Sequence, residues 1–244
     1  MKRRIMLTVA VLLLVLPLLS CSGRKRGDFS DSAIPEEEIE ASAAGDVIVF
    51  GKYEQDNDPS DGKEDVEWLV IAKKGDKRLV ISKYALDSRP FNEEYSEDVT
   101  WETCTLRSWL NGTFLSDAFT AEEQEKIVVT KVKADQNPSF GTDPGKNTED
   151  LLFLLSLPEA KKYFSDDSIR MCAPTEYAVS RGAYTDDGFK ADGRAACWWL
   201  LRTPGDHPFL ATYVNVDGTV NDYGYFVTNT DCAVRPAMWI NVGD

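Results

Sequence analysis

Segments with the composition of β-strands stand at both ends of the chain, and this arrangement constrains the fold most. Residues 47–53, 66–73 and 77–86 are rich in Val, Ile, Leu and Tyr, and Lys74-Gly75-Asp76 is a hairpin signal. From residue 196 onward the pattern is again that of strands. The segments there are CWWLLR, FLATYVNV, TVNDYGYFV and AVRPAMWINV, with a turn at Asp217-Gly218.

The middle of the chain has the periodicity of short helices. Leu106, Trp109 and Leu110 fall on one helical stripe, which Asn111-Gly112 is expected to end. Three polar residues stand where helix N-caps are expected: Thr120, Ser156 and Thr175. Residues 128–133 and 151–156 have strand character. The order strands, helices, strands predicts an α+β domain with mixed, mainly antiparallel sheets and two to four short helices.

The first 21 residues, MKRRIMLTVAVLLLVLPLLSC, have the organisation of a bacterial secretory signal. Three cations precede an apolar run that is too short for a stable membrane span. Leu18-Leu19-Ser20-Cys21 resembles a lipobox, which implies cleavage after residue 20 and diacylglycerol on Cys21. Several acyl chains would anchor the protein permanently to a cell membrane or outer membrane, facing outside the cytoplasm. The alternative is an ordinary secreted protein with a stray cysteine.

The remainder divides into a tether and a domain. Residues 21–45 are polar, with charges in blocks and no apolar period, which is typical of a flexible tether. Residues 46–244 are long enough for one domain with a real core. Without residues 1–20 the chain has 24 Lys and Arg against 41 Asp and Glu, a net charge of −17. That charge repels nucleic acid and anionic lipid, so neither is expected as a partner.

Cysteine and histidine counts argue against a metal centre. Beyond residue 21 the cysteines are Cys104, Cys172, Cys197 and Cys232, and the chain has one histidine. None of the four lies in a C-x-x-C motif, so an ordinary zinc site is not expected, and no cofactor is indicated. Export permits disulfides, and four cysteines allow three pairings. Buried thiols or one bridge are the expectations.

A family resemblance covers nearly all of residues 47–241. The matching segments, in order, are VFGKYEQD, VEWLVIAKKGDKRLVISKYALDSRPFN, DVTWETCTLRSWLN, AFTAEEQEKI, FLLSLPEAKKYF, MCAPTEYAVSRGA, WWLLRTPG and VRPAMWI. They resemble a bacterial family known as domain-of-unknown-function family 6273. The ending also looks like the close of the C-type-lectin-like fold. Membership therefore implies that fold and no established reaction.

Two known activities of C-type-lectin-like proteins find no counterpart in these residues. The calcium-binding triplets of sugar-binding lectins are absent, and the nearest sequence is Val220-Asn221-Asp222. Formylglycine-generating enzymes use two neighbouring cysteines with copper. Cys197 and Cys232 could meet only if their strands were adjacent, and the surrounding motif differs. The fold resemblance therefore transfers no mechanism.

Two arginines near the end of apolar segments are candidate ligand-binding residues. In a strand, Trp198, Leu200 and Arg202 face one side and the intervening residues face the other, so residues 197–202 are expected to be covered on both faces. Arg202 and Arg235 each precede a proline closely. We expect both to be semi-buried and paired with a carboxylate, such as Glu176, or with carbonyl groups. An anion-binding role for the pair is the alternative.

The strongest positive hint of recognition lies in residues 215–230. Tyrosines alternate there with small polar residues, a composition typical of adaptable binding loops. The candidate ligand-binding residues are Asn215, Asp217, Asn221, Asp222, Tyr223 and Tyr225. The oxygen-bearing side chains of residues 215–222 also have the spacing of a calcium-binding loop. A hairpin turn is sufficient to explain Asp217-Gly218, however, without any calcium.

Two classes of function remain open from sequence. His207 lies in a turn without a visible nucleophile or orienting acid, so we expect it to be an exposed loop residue. The preferred hypothesis is a membrane-anchored, non-catalytic recognition or structural domain whose loops around 203–231 meet a surface protein or glycan. The alternative is an envelope enzyme that depends on cysteine or carboxylate chemistry.

Overall fold

The computed structural model describes residues 40–41 and 46–243. The predicted signal peptide, Cys21 and most of the predicted tether lie outside these residues. Within the described chain the strands are β1 (Glu40–Ala41), β2 (Val47–Tyr53), β3 (Glu64–Lys74), β4 (Lys77–Ser82), β5 (Asp87–Ser88), β6 (Ile127–Val128), β7 (Thr130–Val132), β8 (Thr148–Asp150), β9 (Thr185–Ala191), β10 (Arg194–Cys197), β11 (Trp199–Pro204), β12 (Leu210–Val214), β13 (Val220–Phe226), β14 (Ala233–Val234) and β15 (Ala237–Asn241).

The larger sheet has six strands, all antiparallel to their neighbours. β3 pairs with β4, β4 with β15 and β15 with β6, while β1 and β2 share the other edge of β3. The predicted hairpin is confirmed, because Gly75-Asp76 joins β3 to β4 and Gly75 has a φ of +51°. β1 lies inside the range predicted as tether, so the sheet extends into that segment.

The second sheet has the order β13-β12-β11-β14-β5, and only β11 and β14 run parallel. Every residue of β11 is buried, which confirms the expectation of a strand covered on both faces for residues 199–202, whereas Trp198 precedes β11 and is half-buried. The predicted turn at Asp217-Gly218 joins β12 to β13. Two small antiparallel pairs, β7 with β8 and β9 with β10, complete the described strands.

Two segments connect the two large sheets, and these segments lie next to each other. The first leads from β4 to β5 and the second from β14 to β15. The Ser82 backbone N–H donates to the Pro236 carbonyl oxygen at 2.9 Å, and the Leu86 N–H donates to the Val234 carbonyl oxygen at 2.9 Å. The crossing therefore continues the backbone pairing from one sheet into the other, with one continuous cluster of buried apolar side chains around it.

The helices are short and capped by side chains. They are α1 (Thr105–Trp109), a π-helical turn (Leu110–Phe114) that continues into α2 (Leu115–Ala118), α3 (Ala121–Gln124), α4 (Leu157–Tyr163), α5 (Asp167–Arg170) and α6 (Glu176–Ser180). All three predicted N-caps are confirmed: Thr120, Ser156 and Thr175 each accept a backbone N–H with the side-chain oxygen. Counting residues 105–118 as one helix gives five helices in the described chain, one above the predicted range. The extra one is α5, a single turn capped by Asp166.

The predicted helix stop at Asn111-Gly112 is wrong, and the Asn111 side chain explains why. Its amide nitrogen donates to the Arg107 and Leu152 carbonyl oxygens at 3.1 and 2.8 Å, and its oxygen accepts the Leu151 and Leu152 N–H groups. These bonds support a wider π-helical turn and fix residues 151–152. The predicted strand 151–156 is therefore mostly a buried segment without regular strand pairing, with one isolated bridge from Phe153 to Ala237.

The architecture is a mixed α+β domain with mainly antiparallel sheets, as the sequence predicts. Residues 46–243 fall within one compact unit. No helix among the described residues is both long and apolar enough to cross a membrane.

Candidate ligand-binding site

An open pocket lies beside β11 and β12, where the second sheet meets the loop before β14. Its volume is about 310 Å³. Three aromatic and three other residues line it: Tyr184, Trp198, Tyr213, Asn215, Val216 and Asp231. A volume at the lower end of the range for ligand pockets suits a small molecule or one group of a larger one.

The strand register places two of the aromatic rings on the same face. Leu200 pairs with Tyr213, and Trp199 pairs with Val214, so Trp198 stands diagonally from Tyr213 on the Leu200 side of the sheet. The Trp198 and Tyr213 ring centroids are 4.8 Å apart at 84°, an edge-to-face contact. Tyr213 is buried and Trp198 is half-buried, so the pair forms a fixed pocket wall.

Two more tyrosines surround Trp198 from other elements. The Tyr184 ring, just before β9, lies 6.3 Å from the Trp198 ring at 80°, and the Tyr225 ring on β13 lies 5.2 Å away at 64°. Both tyrosines are exposed, at 50% and 41%. Trp198 therefore stands at the centre of an aromatic cluster that remains open to solvent.

Asp231 forms the polar side of the pocket. Its carbonyl oxygen accepts the Trp198 indole N–H and the Tyr184 backbone N–H, each at 3.0 Å. Its carboxylate atom Oδ1 is buried and has no hydrogen-bond partner. Burial raises the pKa of this carboxyl above its usual value, although hydrogen bonds from its own backbone N–H and from the Asn229 side chain act to lower it, and the ion pairs identified among the described residues do not involve it. Asp231 thus presents a desolvated acceptor in an aromatic surrounding.

Of the predicted binding residues, Asn215 lines this pocket and Tyr225 contacts its Trp198 ring, whereas Tyr223 is separated from them. A bulge in β13 causes the separation, because Gly224 has a φ of +88°. A Cβ at Gly224 would lie 2.9 Å from the Ala211 carbonyl oxygen, so a larger residue would not fit. The bulge turns Tyr223 toward Phe140, with ring centroids 6.0 Å apart, and Tyr225 toward Trp198.

The other polar candidates of the hairpin are engaged in local hydrogen bonds. Asp217 accepts the backbone N–H and the hydroxyl of Thr219 at 2.9 and 2.7 Å. Asn221 accepts the Gly224 N–H at 2.9 Å, and Asp222 accepts the Ser139 hydroxyl at 2.5 Å. These bonds shape the turn and the bulge. None of the three lines the pocket.

Arg202 is a core residue and not part of an exposed anion site. It is 3% exposed and donates to the Glu159 carboxylate, with Nη2 to Oε1 at 2.9 Å, and to the Leu154 carbonyl oxygen at 2.7 Å. Asp135 lies 3.4 Å away. The predicted partner, Glu176, is wrong. The carboxylate comes from the capping box of α4, which packs against β11.

Arg235 is also buried, at 1% exposure, and lies where the chain crosses between the sheets. Its Nε donates to the Ser82 carbonyl oxygen at 2.9 Å, and its guanidinium stacks over the Trp199 and Phe164 rings at 5.0 and 5.4 Å. Its Nη1 has no hydrogen-bond partner. Because both arginines are enclosed by protein, the alternative prediction that the pair forms an anion-binding site is wrong.

The four described cysteines are buried free thiols. The strands beside Cys197 and Cys232 are neighbours, since Trp199 pairs with Ala233, but the thiol partner of Cys197 is Cys172, which lies across an antiparallel bridge from it. Burial opposes ionisation of Cys172, but its hydrogen bond with Cys197 and the charge of Arg235 outweigh burial and lower its pKa to about 7. Burial and the neighbouring Cys172 raise the pKa of Cys197. Neither thiol is accessible to a substrate in this conformation.

Two further sequence features have local roles. His207 is exposed, as predicted, pairs with Asp206 and stacks on Phe209 with centroids 5.0 Å apart. Glu54, Asp56 and Glu64 place carboxylate oxygens within 4.8 Å of one another around the acidic loop that joins β2 to β3. The Glu64 carboxylate accepts a backbone N–H from within that loop, and we assign no ligand to the group.

The described chain is thus an α+β domain with an open aromatic pocket. It belongs to the family described as domain of unknown function (DUF6273), whose model matches residues 75–242, more than half of the chain. The match includes every pocket residue and leaves out β1, β2 and the whole of β3. Neither curated proteins nor solved structures gave a significant match.

Five of the six pocket residues are not among the binding candidates that the sequence predicts: Tyr184, Trp198, Tyr213, Val216 and Asp231. Trp198 was assigned to the core, and its half-buried position at the edge of the sheet depends on the loop before β14. Tyr184 precedes β9, a strand that was not predicted. The signal that could have found them is the number of aromatic residues on neighbouring strands, because diagonal cross-strand positions bring rings together.

Proposed function

We propose that this chain is a lipid-anchored protein of the bacterial cell envelope whose domain is non-catalytic and recognises a ligand through the pocket around Trp198. The lipobox-like sequence at Cys21 supports the anchor. Family membership and the mainly antiparallel α+β architecture support a C-type-lectin-like fold. The ligand is a small molecule, or an exposed group of a surface protein or glycan.

One observation carries the recognition role: an open pocket combines aromatic walls with a buried, unpaired carboxylate oxygen. Ligand pockets are typically apolar concavities with a few fixed polar groups. Here the Tyr213 residue is held by strand pairing, the Trp198 ring by its indole hydrogen bond to the Asp231 carbonyl oxygen, and Asp231 by two hydrogen bonds to that oxygen. A site whose walls are already fixed loses little conformational freedom when a ligand binds.

The proposal is tested by fluorine NMR on the lipidated protein in detergent micelles, labelled with 5-fluorotryptophan. The chain has six tryptophans, and Trp198→Phe assigns the signal of Trp198. The probes are cyclohexanol, N-acetylglucosamine and cyclohexylammonium. We expect at least one of them to shift the Trp198 signal saturably, with a Kd on the order of 1 mM for so small a molecule.

Matched variants separate the pocket from the surrounding surface. Tyr213→Leu removes a pocket wall and should weaken the responding probe at least tenfold. Tyr223→Leu removes an exposed tyrosine outside the pocket and should leave the affinity unchanged. If none of the three probes shifts the Trp198 signal at about ten times the expected Kd, this pocket is not the recognition site.

A further inference from the structure

The unpaired oxygen of Asp231 calls for a specific partner. Buried polar atoms in proteins nearly always have a hydrogen bond, and an exception at a pocket is explained most simply by a donor that arrives with the ligand. Asp231 Oδ1 is such an exception, and Asp231 lines a pocket whose other side is aromatic. The ligand is therefore expected to carry a hydrogen-bond donor at this position.

The surroundings of this oxygen favour a donor with positive charge. The faces of Trp and Tyr rings carry negative potential and attract cations within about 6 Å of their centroids. Three such rings line the pocket: Tyr184, Trp198 and Tyr213. Burial raises the pKa of Asp231 more than its own backbone N–H and the Asn229 side chain lower it, and no cationic side chain is among the causes of the shift. A cationic ligand would provide the compensating charge.

The charge of the whole chain acts in the same direction. The chain has 27 Lys and Arg against 41 Asp and Glu, a formal net charge of −14. A field of this sign raises the local concentration of cations and the rate at which they reach a pocket. An anionic ligand would meet both this field and the Asp231 carboxylate, so it is disfavoured.

We infer that the pocket binds a protonated organic amine. The ammonium group lies against the rings of Trp198 and Tyr213 and donates an N–H hydrogen bond to Asp231 Oδ1, while the organic part contacts Tyr184 and Val216. This inference rests on the proposed function, because it names the chemistry of the same site. A hydroxyl group could satisfy the oxygen but would leave the carboxylate charge uncompensated.

The inference is tested by comparing two probes of the same shape. Cyclohexylammonium and cyclohexanol share one ring and both donate a hydrogen bond, but only the first is charged. We expect cyclohexylammonium to bind at least tenfold more tightly at pH 7, measured by titration of the Trp198 fluorine signal. Asp231→Asn should reduce that preference below about twofold while cyclohexanol binds as before, since it removes the charge that distinguishes the two probes.

Asp222→Asn is the matched control, because it removes one carboxylate of the same hairpin region outside the pocket. It should leave the preference unchanged, which separates a direct contact from the general field. Equal affinity for the two probes would overturn the amine inference while the pocket remains a ligand site. A preference that Asp231→Asn does not reduce would also overturn it. Failure of all probes would instead overturn the proposed function itself.

Discussion

Trp198 donates its indole N–H to the backbone carbonyl oxygen of Asp231 at 3.0 Å. The ring at the centre of the aromatic cluster is thereby tied to the residue that carries the unpaired carboxylate oxygen. Trp198 lies between β10 and β11, and Asp231 lies in the loop just before β14. This hydrogen bond therefore connects the start of β11 to that loop. The position of the carboxylate relative to the rings is therefore set by the protein before any ligand binds.

Trp198→Phe should lower the free energy of unfolding by about 1–2 kcal/mol, because it removes this hydrogen bond and part of the ring contact with Tyr213. Urea denaturation measures the change. Tyr223→Leu, at an exposed position outside the pocket, should change stability by less than about 0.5 kcal/mol. Equal effects of the two substitutions would contradict a bracing role for Trp198.

Asp231→Asn should make the domain more stable at pH 7. The pKa of the carboxyl in the folded state lies above its usual value of 3.8, so folding favours the protonated form, and the ionised form costs stability. That cost is complete above the folded-state pKa and vanishes as the pH falls below the unfolded value. The gain from the substitution should therefore be present at pH 7 and nearly absent at pH 3.

Urea denaturation of both proteins at the two pH values measures this difference. A variant that is less stable than the parent at pH 7 would show that the carboxylate has a favourable partner. We expect the ionised Asp231 carboxylate to lower the stability of the free protein and to strengthen ligand binding.

The two buried arginines should respond differently to replacement by methionine. Arg202→Met leaves the carboxylates of Glu159 and Asp135 without their cation in a partly buried place, and should cost about 3 kcal/mol or more. Arg235→Met loses one hydrogen bond and the stacking on Trp199, but it leaves no carboxylate unpaired, so about 1–2 kcal/mol is expected. Chemical denaturation ranks them, and the reverse order would contradict these assignments.

The pairing of Cys172 with Cys197 predicts which disulfide can form. The Cys197 N–H donates to the Cys172 carbonyl oxygen at 2.8 Å, and the two thiols are hydrogen-bonded neighbours. Oxidation by diamide, which takes up two protons and two electrons, should therefore join these two sulfurs and leave Cys104 and Cys232 free. Alkylation without reduction followed by peptide mapping identifies the pair.

Single substitutions provide the control for the disulfide. Cys172→Ser should prevent the loss of thiols on oxidation, whereas Cys104→Ser should leave the loss of two thiols unchanged. A bridge that includes Cys104 or Cys232 would show that the domain opens widely before it reacts.

Cys21→Ser should release the protein from the membrane fraction. The lipobox resemblance implies that lipid is attached to this sulfur, and serine cannot form the thioether. Expression in a bacterial host, followed by membrane sedimentation and immunoblotting, measures the distribution. Ser22→Ala, next to the attachment site, is the control and should remain in the membrane. Equal membrane content of the two variants would refute lipid anchoring at Cys21.

The elements that sequence predicted well are those fixed by local signals. The capping residues Thr120, Ser156 and Thr175, the Gly75-Asp76 hairpin and the doubly covered strand β11 all depend on short-range patterns of side chains. The Asn111 stop failed because its side chain found partners 40 and 41 residues away, at Leu151 and Leu152. The tendency of Asn111-Gly112 to end a helix was therefore overridden by the tertiary hydrogen bonds of the Asn111 side chain.

The pocket was harder to predict for the same reason. The alternation of residues 220–226 predicts that Tyr223 and Tyr225 share a face, but the bulge at Gly224 sends them to different neighbours. Asp231 carries no signal in the sequence, because its role arises from the Trp198 and Tyr184 hydrogen bonds to its carbonyl oxygen. Only Asn215 and Tyr225 could be placed at this surface from composition.

The central place of β15 in the larger sheet has a consequence for how the chain is made. β4 pairs with β3 soon after both are synthesised, but its other edge waits for residues 237–241. Ser82 and Arg235, which meet at the crossing, are separated by 153 residues. Until β15 is in place, β4 has an unpaired edge, and such an edge can form backbone hydrogen bonds with another chain. Residues 77–82 therefore stay open to pairing with another chain until residues 237–241 take their place beside them.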